Sequence, residues 1–327
     1  MSTSRVFTIT LNPAIDQTVR IAALVPGEVH RALGQQLEAG GKGVGVAAVL
    51  ASLGVPVTAC GWLGADNAAV FEAAFAGRHI TDAMVRVPGS TRTNIKLADS
   101  TRGDSTDINL PGLALSPEAL TQAEVALLAM LRQQVRPGDW CELAGSLPPG
   151  AKPDTWVRLA RVLAAQGAHI VIDTGGAVLL QLLAALADPA AGPVVPVALV
   201  KPNRAELEEL AGRPLPQLAD VADAAAALCA RGVQRAVVSL GGDGAVIASA
   251  TGRWFAAAPR VPVATTVGAG DALVAGTLAA LVQGQPFPGA AVFGMACAAA
   301  RIQRIAPGLP PRAEVDALAQ AIAPQPL

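Results

Sequence analysis

Tyrosine is missing altogether from this 327-residue chain, and only six phenylalanines and four tryptophans supply aromatic rings. So few aromatic faces exclude the stacking platforms that hold single-stranded nucleic acids. Charge is scarce too: 15% of residues are charged and the formal net charge is -1. That balance excludes bulk attraction to nucleic acid or an anionic membrane as the chain's main function, while leaving room for a small basic pocket. The four cysteines, Cys60, Cys141, Cys229 and Cys297, show neither CxxC nor zinc spacing. They read as small buried hydrophobes in a reducing compartment. No apolar run is long enough to span a bilayer, and the first residues read as a strand rather than a signal segment. The expectation is a soluble, cytoplasmic protein with no membrane or nucleic-acid partner. A Ser/His/Asp triad is lacking as well, since His30, His79 and His169 are scattered.

Lysine is rare among the basic residues, which are otherwise arginine: Lys42, Lys96, Lys152 and Lys201 are the only ones. A compact ammonium is not interchangeable with a guanidinium, so Lys42 reads as a residue retained for chemistry.

What is abundant is apolar, at 52% of the chain, enough for a large core. From Ser116 onward apolar strands alternate regularly with amphipathic helices. The spacing predicts strands at 139–144, 168–173, 197–201 and 235–240, with helices at 117–135, 153–166, 176–187, 204–211 and 219–231. A first strand is expected at 5–11, a helix at 44–53, a strand at 55–60, a helix at 66–78, and a hairpin over 244–264. Alternation of this kind implies a mostly parallel sheet flanked by helices. Residues 17–37 and 83–113 read as short polar strands that do not fit that sheet.

One stretch organises the rest. Residues 264–282 read as a strand end through Thr266, a glycine turn at Gly268-Ala269-Gly270, and a helix opening at Asp271. Free amides at a helix N-terminus, together with its dipole, favour a bound phosphate. Asp271 would either cap that helix or act as a base at its mouth. Other polar residues fall at predicted strand ends, where ligands bind in such sheets: Asn12 and Asp16, Gly145-Ser146, Asp173, Lys201 to Asn203, and Gly241-Gly242.

Gly40-Gly41-Lys42-Gly43 permits close backbone approach and supplies one cation, but lacks the Ser or Thr of a P-loop; a plain turn before a helix remains its alternative. Arg92, beside Asn94 and Lys96, suits a phosphate bidentately or a solvated face. Asp16 would accept from sugar hydroxyls or form a turn. Asn203 and Glu206, one turn apart, would hold Mg²⁺ through water or form a capping box. Glu142, inside a strand, reads as a partnered polar group rather than a base.

Together these residues resemble the ribokinase-like (PfkB) sugar kinase family. Ile9 to Asp16, Thr91 to Lys96, Gly145 to Gly150 and Val200 to Asn203 are similar to its 1-phosphofructokinase and tagatose-6-phosphate kinase branch. The resemblance implies one Rossmann-like ribokinase domain over 1–327 with a small β-sheet lid from about 12–38 and 84–113, and a homodimer formed through that lid. It implies ATP and Mg²⁺, with Asp271 as catalytic base and Gly268, Ala269 and Gly270 as its anion hole. Asn12, Asp16, Gly40, Gly41, Lys42, Arg92 and Asn94 would hold a phosphorylated ketohexose. Lys201, Asn203, Ser239, Gly241 and Gly244 would line the nucleotide, and Asn203 and Glu206 would attend the metal. The expected reaction is ATP-dependent phosphorylation of D-fructose 1-phosphate. Tagatose-6-phosphate kinase, 6-phosphofructokinase and a silent sugar-phosphate-binding regulator stay open. Two positions depart from the family: Gly45, where Asn is usual, and Gly175, where Ser is common.

Overall fold

The computed structural model describes residues 4–304 and 308–327. In chain order the elements are β1 (Val6–Thr10), β2 (Ala14–Ile21), β3 (Gly34–Gly40), α1 (Lys42–Ser52), β4 (Val57–Gly64), α2 (Ala69–Arg78), β5 (Thr81–Val87), β6 (Arg92–Asp99) and β7 (Asp104–Ile108). They continue as α3 (Pro117–Gln134), β8 (Trp140–Ala144), α4 (Thr155–Ala165), β9 (His169–Asp173), α5 (Gly176–Ala187), β10 (Val197–Val200), α6 (Arg204–Ala211), α7 (Leu218–Ala230) and β11 (Arg235–Ser239). The chain ends with β12 (Gly244–Ser249), β13 (Gly252–Ala257), α8 (Ala269–Val282), α9 (Phe287–Ile302), α10 (Arg312–Gln320) and β14 (Gln325–Pro326).

Among the described residues a ten-stranded sheet runs in the order β14-β13-β12-β11-β10-β9-β8-β1-β4-β5, parallel from β11 to β5 and antiparallel at the β12–β14 edge. The parallel strands β1, β4, β8 and β10 are continuously buried because helices cover both faces. One face packs on α1, α8 and α9 through Val46, Leu50, Leu278 and Ala296; the other packs on α3, α4 and α7 through Leu127, Leu159 and Val221. Beside this body stands a four-stranded sheet, β3-β2-β6-β7, in which β2 and β6 pair in parallel.

The mixed α/β architecture agrees with the sequence, and three local readings are corrected. The stretch through Thr266 is not a strand: the hairpin closes at Ala257, and Ala264 and Thr265 instead donate their amides to the Ile302 carbonyl at the end of α9. The polar strands of 83–113 divide, since Thr81–Val87 completes the large sheet beside β4 while β6 and β7 join the small one. Helix α1 begins at Lys42 itself. Among the described residues no helix is long and apolar enough to cross a membrane.

Candidate active site

The C-terminal ends of β1, β8, β9 and β10 open onto the N-termini of α1 and α8. Gly41 (φ 112°) and Gly268 (φ 77°) cap these two helices in conformations that glycine adopts without a Cβ penalty. Helix α8 then begins at Ala269, which places Asp271 in its first turn rather than at its cap, and the helix start has no side-chain cap hydrogen bond. The capping reading of Asp271 therefore does not describe this chain. Within the turn the Ala269 amide donates to the Thr266 carbonyl at 3.3 Å, whereas the Gly268, Gly270 and Asp271 amides have no acceptor among the described residues. Amides without an acceptor therefore stand on both sides of Ala269 at the start of α8, where an anion is favoured.

Beneath Asp271 lies a buried charge cluster. Asp173, 1% exposed at the end of β9, faces Lys42 Nζ at 3.2 Å and Lys201 Nζ at 3.5 Å. Burial opposes ionisation of Asp173, but the two ammonium groups prevail and hold its carboxyl below the ordinary value. Lys201, 7% exposed, also flanks the catalytic turn: its Nζ lies 3.4 Å from where a Cβ on Gly270 would stand. Asp271 itself is pushed up to about 7, first by burial and next by the charge of Asp173, with Lys42, Lys201 and Arg301 working in the opposite direction. A carboxylate poised near neutrality suits general-base work.

A cavity of about 520 Å³ opens beside this centre, bordered by Asp16, Gly40, Gly41, Gly45, Gly268 and Asp271. It continues between α1 and α2, where Arg78 and Arg301 also line it. At its border Asn94 Nδ2 donates to Asp16 Oδ1 at 3.1 Å, and burial raises the Asp16 carboxyl above its ordinary value. Gly40 is required here, because a Cβ on it would overlap Asp16 Oδ2. Asn12 turns to β8's following loop, donating to Ser146 Oγ at 3.0 Å.

Other sequence-predicted residues fall elsewhere. Arg92 reaches the carbonyls of Asn12 (3.2 Å), Pro13 (3.3 Å) and Leu110 (3.0 Å), so its fork organises the loops on either side of the cavity. Asn203 and Glu206 form a reciprocal capping box on α6. Ser239 is joined to them by a bridge to Asn203, and Gly241 follows in the next turn. Gly244 backs onto the Ala256 carbonyl, where any Cβ would overlap, which makes it a requirement of the β12–β13 hairpin. Among the described residues no three His, Cys, Asp or Glu side chains are placed to hold a metal directly. Glu206 keeps Oε1 outside the capping box, over Gly175. A magnesium ion held mainly by phosphates and water fits that donor set; a direct protein chelate does not.

Glu142 contradicts its sequence reading. It is 0% exposed on β8, both carboxylate oxygens lack a hydrogen-bond partner among the described residues, and burial followed by Asp173 and Asp271 raises it well above the ordinary value. A neutral carboxylic acid is the state that such burial favours. The sequence reading also passed over Arg301, Arg78 and Glu38. The visible signal was a lone arginine closing the run Ala-Cys-Ala-Ala-Ala-Arg.

A helix N-terminus, a buried carboxyl pushed up to about 7 and a lysine-held acid thus meet at the ends of parallel strands beside one cavity. The chain belongs to the pfkB family of carbohydrate kinases, whose profile matches residues 6–313. It is 47% identical over 275 residues to the 1-phosphofructokinase of Xanthomonas campestris, covering 84% of this chain and 83% of that protein. It is 39% identical over 320 residues to that of Rhodobacter capsulatus, covering 98% and 97%. Among solved structures, phosphofructokinase-2 of Escherichia coli superimposes with a TM-score of 0.87 at 27% identity, covering 97% of this chain and 99% of that one.

Proposed function

We propose that this kinase transfers the γ-phosphoryl group of ATP to the free 6-hydroxyl of D-fructose 1-phosphate. The observation that carries the chemistry is Asp271, uncapped in the first turn of α8 and facing the cavity that Asp16 and Gly41 border. The acceptor follows from the names of relatives that match the chain at 47% and 39% identity. In this reading Asp271 accepts the hydroxyl proton as the oxygen attacks phosphorus. The Gly270 and Asp271 amides, with Lys201 beside them, face the negative charge of the transferring group. Asp16 and Asn94 accept from and donate to sugar hydroxyls, and Lys42 keeps Asp173 ionised. Lys201, Asn203, Ser239 and Gly241 border the nucleotide. Mg²⁺, near Glu206 through water, would neutralise phosphate charge.

The small sheet is read as a lid that also carries a dimer interface. Supporting this, Val29 (96% exposed), Leu33, Leu37, Ile108 and Leu110 are exposed hydrophobics on that sheet and its loops. A second copy of the chain would cover them. Four unpaired cysteines agree with a cytoplasmic location.

ADP release with Mg-ATP, compared across fructose 1-phosphate, fructose 6-phosphate, tagatose 6-phosphate and fructose, tests the acceptor. Preference for a 6-phosphate moves the substrate and keeps the mechanism; no turnover with any acceptor makes the chain a binder. Light scattering of the eluted protein tests the dimer.

A further inference from the structure

We propose that Arg301 is a further catalytic residue of this kinase, its guanidinium delivering positive charge to the phosphoryl group in transfer. The inference rests on the kinase reading above and adds a residue that the reading does not use. Arg301 closes α9, is 9% exposed, and lines the same cavity as Gly268, Gly45 and Asp271. Its Nε lies 3.2 Å from where a Cβ on Gly268 would stand, so the guanidinium abuts the turn that opens α8. Gly268 leaves that approach open, since the added atom would force the arginine back.

Position and aim are both fixed. Arg301 Nη1 donates to the Arg304 carbonyl at 2.6 Å, which pins one side of the fork beyond the helix end. Burial lowers its affinity for its proton, and the charges of Glu38 on β3 and Asp271 on α8 act in the opposite direction. A fully enclosed arginine between two acids would suffice as a structural ion cluster. What distinguishes Arg301 is the cavity that it and Asp271 both line. Lys201 Nζ lies against the Gly270 position and Arg301 Nε against the Gly268 position of the same turn, so two cations stand at it, as the charge of a phosphoryl group in transfer favours. A helix C-terminus also favours a cation, which keeps the arginine charged where it stands.

In the step itself the sugar hydroxyl oxygen forms the new bond to phosphorus, and the bond from phosphorus to the β–γ bridging oxygen breaks with its electron pair passing to ADP. The hydroxyl proton goes to Asp271. Charge on the non-bridging oxygens is spread between the Gly270 and Asp271 amides, Lys201 and Arg301. Besides Arg301, the titratable groups facing Asp271 are Asp173 from β9, Glu142 from β8, Lys42 from α1 and Lys201 from the end of β10. Those facing Arg301 are Glu38, Asp271 and Arg304.

The test measures steady-state kinetics, melting temperature and the pH profile of kcat/KM for wild type, Arg301→Ala and Arg301→Lys. The expectation is a fall in kcat on the order of 100-fold for Arg301→Ala, the scale of losing one donor at a charged transition state, with KM for both substrates nearly unchanged. Arg301→Lys should recover part of that loss. Guanidinium at a non-denaturing concentration should partly restore Arg301→Ala, while urea should not. The acidic limb of kcat/KM should move to higher pH, because one of the cations that favour ionised Asp271 is gone. Unchanged kcat in Arg301→Ala overturns the proposal. So does a loss that tracks melting temperature and is not rescued by guanidinium, which would assign Arg301 to closing α9 alone. A rise in KM with kcat preserved overturns it as well, in favour of ground-state binding. Wild type without turnover removes the kinase reading together with the inference, whereas active wild type and unaltered variants remove the inference alone.

Discussion

Asp271 occupies the space that a side chain on Gly45 would fill: a Cβ built on Gly45 would overlap Asp271 Oδ2 and crowd its carboxyl carbon. The Asp271 carboxylate therefore rests against the first turns of α1. The residue that departs from the family pattern is the one that admits it.

Gly45 is helical, so substitution there strains contacts rather than backbone. Gly45→Ala is expected to lower kcat about tenfold and to cost on the order of 1–3 kcal/mol, the range for inserting a methyl group into a filled site. Gly45→Asn, with the larger group, should lower kcat further. Kinetics with thermal melts on both variants check this; an Asn variant at wild-type kcat would show that Asp271 does not need its seat on α1.

Asp271→Asn keeps the shape and removes the base, so turnover should fall at least 1000-fold with folding intact. The stability effect has a definite sign. The Asp271 carboxyl lies at about 7 when folded against an ordinary 3.8, so its ionisation opposes folding as pH rises through that window. The Asn variant should melt higher than wild type at pH 8 and not at pH 4. In wild type, kcat/KM should decline as pH falls below about 7, where Asp271 takes up its proton.

Asp173→Asn leaves Lys42 and Lys201 without their shared counter-ion. Breaking a buried pair from one side costs about 3–5 kcal/mol in severe cases, and the isosteric amide should cost less. Because the Asp173 charge raises Asp271, its removal should shift the acidic limb of kcat/KM to lower pH. A pH–rate profile with a limb at or above the wild-type position would contradict the arrangement.

Glu206→Gln retains a side chain able to accept from the Asn203 amide but loses the charge. Stability should change by less than about 1 kcal/mol, while the Mg²⁺ concentration for half-maximal activity at fixed ATP should rise several-fold. An unchanged Mg²⁺ dependence would confine Glu206 to capping α6.

Arg92→Lys exchanges a planar fork for a point charge that cannot reach three carbonyls at once. The loops carrying Asn12 and Leu110 should loosen, and KM for the sugar phosphate should rise more than kcat falls. Steady-state kinetics at varied sugar phosphate separate the two parameters.

The alternation of strands and helices after Ser116 was legible because burial on both sheet faces writes long apolar runs into the chain. The glycine turn before Asp271 was legible because its geometry restricts the residue type. The Lys42–Asp173 pair was not, since its partners are brought together from opposite halves of the chain by the β1–β8–β9 pairing. Nor was the fate of residues 258–266, whose valines and threonines suit a strand but of which Ala264 and Thr265 donate their amides to the Ile302 carbonyl at the end of α9. Glu142 shows the same limit from the other side: local pattern sets its place on a strand, and only the packing above it determines that the carboxyl finds no hydrogen-bond partner among the described residues.

The small sheet is made from two pieces of chain with the whole β4–α2–β5 unit between them, and its central pairing sets Ala14 beside Arg92 and Asp16 beside Asn94. A parallel pairing of that sequence separation cannot close locally; its ends must be brought together across an intervening folded unit, and such contacts are slow to form. The large sheet's neighbour pairs β8–β9 and β12–β13 are closer in sequence. In a refolding experiment the local pairs β8–β9 and β12–β13 should therefore gain protection from hydrogen exchange first, and the β2–β6 pairing should follow together with the β1–β8 seam, whose register joins Val6 to Trp140.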